Sequence, residues 1–183
     1  RIGEKYFKGG LSFGGPCFPR DNVAFAKFFE EQNQTNQIPL AVHKANSDHS
    51  KFISQRIINS MNDSKTVGFL GASYKPGSNL VTASATLEMA EWLLDGECDI
   101  YIFDYLATIL EPSEMTKRFQ MTGDLSHCLS ACDTFVICHA DQRLVNDFLA
   151  GIGNKKGKET TVIDCWGILS QMDIPDDIRV INL

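Results

Sequence analysis

The sequence predicts a doubly wound α/β domain with a parallel sheet, preceded by a loop and two helices. From Lys65 onward, short apolar runs alternate with segments of helical period, as in parallel strands joined by right-handed crossovers. A glycine-bearing turn, "GFLGASYKPGSN", follows the first apolar run and precedes a helix, as in nucleotide-binding folds. Before residue 64 only helical periodicity is found, too little to close a core alone. The expected division is therefore 1–63, helical, and 64–183, α/β.

Each element has its own local reason. "PRDNVAFAKFFEEQ" places apolar residues at helical spacing behind Pro19, and proline suits a first helical turn. "NQTNQIP" breaks that helix. A second helix is expected from about Leu40 to Met61, with Val42, Ala45, His49, Phe52, Ile53, Ile57 and Met61 on one face. "KTVGFLG" reads as a buried strand and "SATLEMAEWLLDG" as an amphipathic helix ended by Gly96. "CDIYIFD" is the second strand. "DLSHCLSAC" is a short helix with Asp124 as N-cap, "DTFVICH" a strand, and "DQRLVNDFLAG" a helix ended by Gly151. "TTVIDCW" and "IRVINL" close the set as strands, and "GNKKGKE" reads as a solvated loop.

Composition narrows the function. The 183 residues carry 43 % hydrophobic and 22 % charged side chains, in the range of soluble globular proteins. No apolar run approaches the roughly 20 residues of a membrane span, so no membrane partner is expected. A formal net charge of −6 argues against a nucleic-acid binder. Cys98, Cys128, Cys132, Cys138 and Cys165 lie in apolar strand-like or helical runs without C-x-x-C spacing. They read as small buried hydrophobes of a reducing, cytoplasmic compartment, and no metal site is expected.

Cys17 is different. It sits in "GGLSFGGPCFPRD", two residues before Pro19, so its sulfur is expected at the N-terminus of the first helix, where the dipole favours thiolate. Arg20 adds positive charge, Asp21 one turn on suits a base or a water holder, and Gly14 and Gly15 permit close backbone approach to a ligand. These features suit covalent catalysis; the residues alone leave that open against a structural turn. The four histidines offer no partner by spacing, which opposes a Cys/His hydrolase or a separate thiol redox enzyme. In the glycine turn, G-x-G-x-x-G is not met, although Asp104 ends the second strand where a ribose-binding acid lies. Lys75, in a turn stiffened by Pro76 and Gly77, stands at a strand's carboxyl end, where open α/β sheets bind ligands.

"RIGEKYFKGGLSFGGPCFPRDNVAF" resembles the active-site segment of the UDP-glucose/GDP-mannose dehydrogenases, an R-I-G followed by G-F-G-G-x-C-[FL]-P-K-D-x-x-A-L. "VGFLGASYKPGSN", "IYIFDYLA" and "LSACDTFVICHADQRLVND" resemble that family's C-terminal domain, so the likeness covers nearly the whole chain. The resemblance implies a Rossmann-like nucleotide-sugar-binding domain preceded by a fragment of a central dimerisation domain, and a homodimer. It implies that an N-terminal NAD-binding domain and a catalytic lysine would precede Arg1. It also implies a chemistry. NAD-dependent oxidation of the C6 alcohol of a UDP- or GDP-sugar proceeds through a thiohemiacetal and a thioester on the cysteine. By the same resemblance Cys17 is the nucleophile and Asp21 handles protons or water. Phe13, Gly14 and Gly15 cradle the sugar nucleotide, Arg1 reaches a neighbouring subunit's substrate, and Lys75 meets substrate.

Three departures stand out. The family loop F-K-x-x-[TS]-D-D-x-R-E-S is here "YKPGSNLVTAS", so Thr82 takes the place of a cofactor-binding arginine and Ala83 that of a glutamate. D-[GS]-R is here "DCW", so Trp166 replaces a substrate-binding arginine, and Arg20 replaces lysine. The expected function is thus part of a UDP-glucose 6-dehydrogenase, a fragment inactive by itself. The alternatives are a GDP-mannose 6-dehydrogenase or a divergent, non-catalytic sugar-nucleotide-binding module.

Overall fold

In the computed structural model, residues 3–7, 9–61, 63, 65–94, 96–107, 119–153 and 159–183 are described. Arg1 and most of the predicted "GNKKGKE" loop lie outside them. After a short 3-10 turn, Glu4–Phe7, the chain forms helices α1 (Phe18–Glu31) and α2 (Gln37–Ile58). Then follow β1 (Thr66–Leu70), α3 (Ala85–Leu94), β2 (Asp99–Phe103), β3 (Gln120–Thr122), α4 (Leu125–Ala131), β4 (Thr134–Ile137), α5 (Gln142–Ile152), β5 (Thr160–Asp164) and β6 (Ile178–Asn182).

The six strands form one parallel sheet in the order β3-β2-β1-β4-β5-β6. The chain direction across the sheet therefore reverses between β1 and β4, the topological switch point of a doubly wound fold. Strand alternation sorts side chains to two faces. Val67, Phe69, Ile100, Ile102, Val136 and Ile163 meet α2 and α3 on one face. Leu70, Phe103, Phe135, Ile137 and Val162 meet α4 and α5 on the other. The doubly wound expectation holds. The three-residue β3 had no sequence signature, being too short for alternation to show.

Several local expectations change. Gly68, read as part of the glycine turn, sits inside β1, where a Cβ would stand 2.8 Å from the Phe135 ring and 2.9 Å from Cys128 Sγ. Gly151 does not end α5, which continues to Ile152; its missing side chain admits Leu129 of α4. Asp124 does cap α4, accepting from Ser126 N–H at 2.9 Å. On α2 the buried face is Pro39, Ser50, Ile53, Ser54 and Ile57. Val42, Ala45, His49 and Phe52, expected on one apolar face, are exposed. α1 packs on α2, and α2 packs on α3, which joins the two helices to the α/β layer.

Candidate functional site

Cys17 is the N-cap residue of α1, with Pro19 in the first turn. Its carbonyl accepts from Asp21 N–H at 2.8 Å, the first helical bond, and its thiol is exposed. Arg20 Nε and Asp21 Oδ1 form an exposed ion pair at 2.8 Å. The Asp21 hydrogen bond, then the charge of Asp21 and the neighbouring Cys17, hold the Arg20 guanidinium above its ordinary pKa. Arg20 is thus within electrostatic reach of both expected catalytic groups.

The loop before Cys17 is stitched to α2 on one side. Asn46 uses both ends of its amide on Phe13: Oδ1 accepts from Phe13 N–H at 2.8 Å and Nδ2 donates to Phe13 O at 2.8 Å. Ser12 Oγ donates to Asn46 O at 2.7 Å, and Ser50 Oγ donates to Ser12 Oγ at 2.8 Å. His49 Nε2 lies 3.0 Å from Gly10 O. Asn46, His49 and Ser50 are one helical turn apart, which puts all three over the loop. Sequence reading missed them because it assigned His49 to an apolar face; polar residues at i, i+3 and i+4 were the available signal.

On its other side the loop docks on the α/β layer through three glycines. A Cβ at Gly10 would stand 2.3 Å from Trp166 Cζ3, and one at Gly14 would stand 2.1 Å from the Ala83 carbonyl oxygen. Gly15 has φ 86°, faces the Tyr74 ring, and donates its N–H to Thr82 O at 2.9 Å. The close approaches that demand glycine here are thus made by the chain's own residues. Trp166 Nε1 donates to Cys138 O at 3.0 Å, which fixes the indole under Gly10. Lys75 is exposed, its Nζ 5.4 Å from the centre of the Tyr74 ring, on the same turn that receives Gly15. Phe13 and Pro19, flanking Cys17, border a cavity of about 330 Å³ that reaches His43, Ser84 and Glu88.

The structure therefore gathers Cys17, Asp21, Phe13, Gly14, Gly15, Thr82 and Lys75 around one seam between the helices and the sheet. Arg1 lies outside the described residues. Thr82 offers its carbonyl to the loop and no cation. Asp104 does not serve as an open ribose acceptor. It is buried, and its Oδ2 accepts from Ala72 N–H, Ser73 N–H and Ser73 Oγ at 2.8, 3.0 and 3.1 Å. Its Oδ1 accepts from Leu106 and Ala107 N–H at 2.9 and 3.0 Å. Burial alone would raise its pKa; the backbone N–H groups of Ala107, Leu106, Ser73 and Ala72 together outweigh burial and lower it. The described residues accordingly do not fit a dinucleotide: Asp104 is saturated by its own chain, Thr82 offers no cation, and Glu88 stands in the neighbouring cavity.

The profile of the UDP-glucose/GDP-mannose dehydrogenase family's UDP binding domain matches residues 68–171, and that of the family's central domain matches residues 1–48. The chain belongs to this family. The UDP-glucose 6-dehydrogenase of Rickettsia bellii is 28% identical over 137 residues, 73% of this chain and 31% of that protein. The UDP-glucose 6-dehydrogenase AglM of Haloferax volcanii is 29% identical over 146 residues, 79% of this chain and 32% of that protein. The chain thus spans about a third of the length of these curated relatives. A GDP-mannose dehydrogenase structure from Pseudomonas aeruginosa superimposes with a TM-score of 0.75 at 21% identity, covering 97% of this chain and 41% of that one. A UDP-glucose dehydrogenase from Pyrobaculum islandicum gives 0.70 at 23% identity, covering 98% and 40%. Among the described residues no helix is long and apolar enough to cross a membrane.

Proposed function

We propose that this chain is the nucleophile-bearing and nucleotide-sugar-binding part of a nucleotide-sugar 6-dehydrogenase, acting in the cytoplasm on UDP-glucose. The observation that carries the reading is Cys17, exposed at the N-terminus of α1 on a loop clamped against the Lys75 turn. The names of the curated relatives support UDP-glucose; the Pseudomonas structure keeps GDP-mannose as the alternative. The division at residue 63 belongs to the same reading, falling between the end of α2 and the start of β1.

NAD supplies the hydride acceptor for this chemistry, from a site outside the described residues. The part of Cys17 follows from its placement. Its thiolate adds to the C6 carbonyl carbon of the aldehyde, forming a C–S bond and an alkoxide that takes a proton. At the oxidised, thioester level water attacks the same carbon. The C–S bond breaks and the thiolate leaves, giving the carboxylate and the free nucleophile. Asp21, one helical turn from Cys17, takes the proton of that water, with Arg20 holding its carboxylate. Lys75 meets the phosphates and Phe13 the sugar; Arg1 of one subunit reaches the substrate of the other.

The full-length protein is expected to form NADH with UDP-glucose and to lose turnover on Cys17→Ser. A folded full-length protein inert toward both UDP-glucose and GDP-mannose would refute this. A second reading has its own support, since Trp166 and Thr82 stand where the family's two arginines are expected. In it the chain keeps a sugar-nucleotide site without catalysis. Calorimetry showing UDP binding, with no NADH formed, would select it.

A further inference from the structure

We infer that Asn46 of α2 is a positioning residue of the cysteine site: by pairing with the Phe13 peptide it sets where the Cys17 sulfur stands in the thiol chemistry proposed above. The inference rests on that reading of Cys17 as the nucleophile. Asn46 is half-buried beside the loop, and its amide meets one peptide at two points. Oδ1 accepts from Phe13 N–H and Nδ2 donates to Phe13 O, both at 2.8 Å. A backbone N–H only donates and a carbonyl only accepts, so the two ends of the amide cannot be exchanged. Two parallel bonds fix the orientation of that peptide as well as its distance.

The pairing does nothing for the helix that carries it. Asparagine is a poor residue for a helix interior, because its side chain competes for nearby backbone groups, and Asn46 lies well inside Gln37–Ile58. Its gain is in the loop. Neighbouring groups extend the same hold: Asn46 O accepts from Ser12 Oγ at 2.7 Å, and Ser12 Oγ accepts from Ser50 Oγ at 2.8 Å. Ser50 is one turn further along the helix, so α2 grips two successive residues of the loop.

From Phe13 the hold reaches Cys17 by a short path. The Phe13 and Phe18 rings meet with centroids 5.8 Å apart, so the residue after Cys17 packs on the residue that Asn46 pins. Between them Gly15 N–H is tied to Thr82 O at 2.9 Å, and Cys17 O accepts from Asp21 N–H at 2.8 Å as α1 begins. Backbone groups are thus fixed at Phe13, Gly15 and Cys17, the first by a side chain. Without Asn46, Phe13 is free to turn, and Phe18 loses a fixed neighbour on the far side of the sulfur. Asn46 acts through Phe13 and takes no part in bond making.

The test reads the place of the sulfur directly. Cys17, the exposed thiol, is alkylated in the whole chain with bromotrifluoroacetone, bromide leaving as the C–S bond forms, and the trifluoromethyl group is followed by fluorine NMR. The parent should give one narrow resonance. Asn46→Ala should split or shift it while the chain stays folded, because alanine suits a helix interior better than asparagine does. Asn46→Asp should do the same, since a carboxylate has no donor for Phe13 O. Ser54→Ala removes bonds from α2 to Ser50 O and Met89 O and none to the loop, so it should leave the resonance as in the parent. In the full-length protein Asn46→Ala should lower kcat about tenfold or more, as misplacing a reacting atom does, and Ser54→Ala should not. Several resonances in the parent, a parent-like spectrum or kcat in Asn46→Ala, a parent-like spectrum in Asn46→Asp, or an equal change in Ser54→Ala overturns the inference. The fluorine readout needs no turnover, so a full-length protein inert toward nucleotide sugars refutes the proposed activity and still leaves the spectra to decide on Asn46.

Discussion

Cys17 is the exposed thiol; the other five cysteines are buried. Burial raises the Cys138 thiol to about 12 and raises those of Cys165 and Cys98, so they stay protonated near neutrality. Native alkylation at pH 7.5 should therefore add one adduct, at Cys17, and more only on unfolding; intact mass before and after denaturation checks this. The sequence separated these two kinds of cysteine correctly, because apolar flanks report burial. Asp104 shows where residue-level reading failed. A carboxylate at a strand end looks the same whether it meets a ribose or five donors of its own chain. Its folded pKa is lowered, so its contribution is present above the unfolded value of about 4 and is lost as pH falls through the folded value. Asp104→Asn should cost about 1–3 kcal/mol at neutral pH and flatten the acid limb of a denaturation series; an unchanged limb would contradict the clamp.

At the scale of elements, the cysteine loop is held by contacts that no local pattern announces. Gly10, Gly14 and Gly15 are glycines because Trp166, Ala83 and Tyr74 come from far along the chain, so the sequence could suggest close approach but not to what. Gly14→Ala places a methyl against a backbone oxygen, which cannot swing aside. It should change the alkylation rate of Cys17 several-fold while the α/β layer stays folded. Gly9→Ala, with nothing within 4 Å, is the matched control. Equal rates in the two variants would mean that docking does not set Cys17. The strand–helix alternation, by contrast, was legible, because the central strands carry short apolar runs, such as Phe69 and Leu70, Phe135, Val136 and Ile137, and Val162 and Ile163, that are buried on both faces of the sheet. Thr134 and Thr161, in register on β4 and β5, carry buried hydroxyls without a partner among the described residues. Thr161→Val should raise stability by about 1 kcal/mol, read from the urea midpoint.

For the whole molecule, α1 and α2 leave Val23, Phe25, Phe28, Leu40, Val42 and Phe52 exposed while their inner faces are used. A patch of that kind marks an interaction surface, and we propose a second copy of the chain as its occupant. Sedimentation should show a dimer that Phe52→Glu converts to monomer; a stable dilute monomer of the parent chain would count against it. The sequence hinted at this through a helix with more apolar surface than partners, but could not say which side chains faced out. One consequence of the stitched loop concerns proteases. Glycine-rich stretches ordinarily invite cleavage, because a protease must draw several residues into its cleft in extended form. Between Gly10 and Gly15, backbone groups are tied to a helix on one side and to a strand-end turn on the other. Brief digestion should therefore spare this segment, and its first nicks there should mark the moment when helices and sheet come apart.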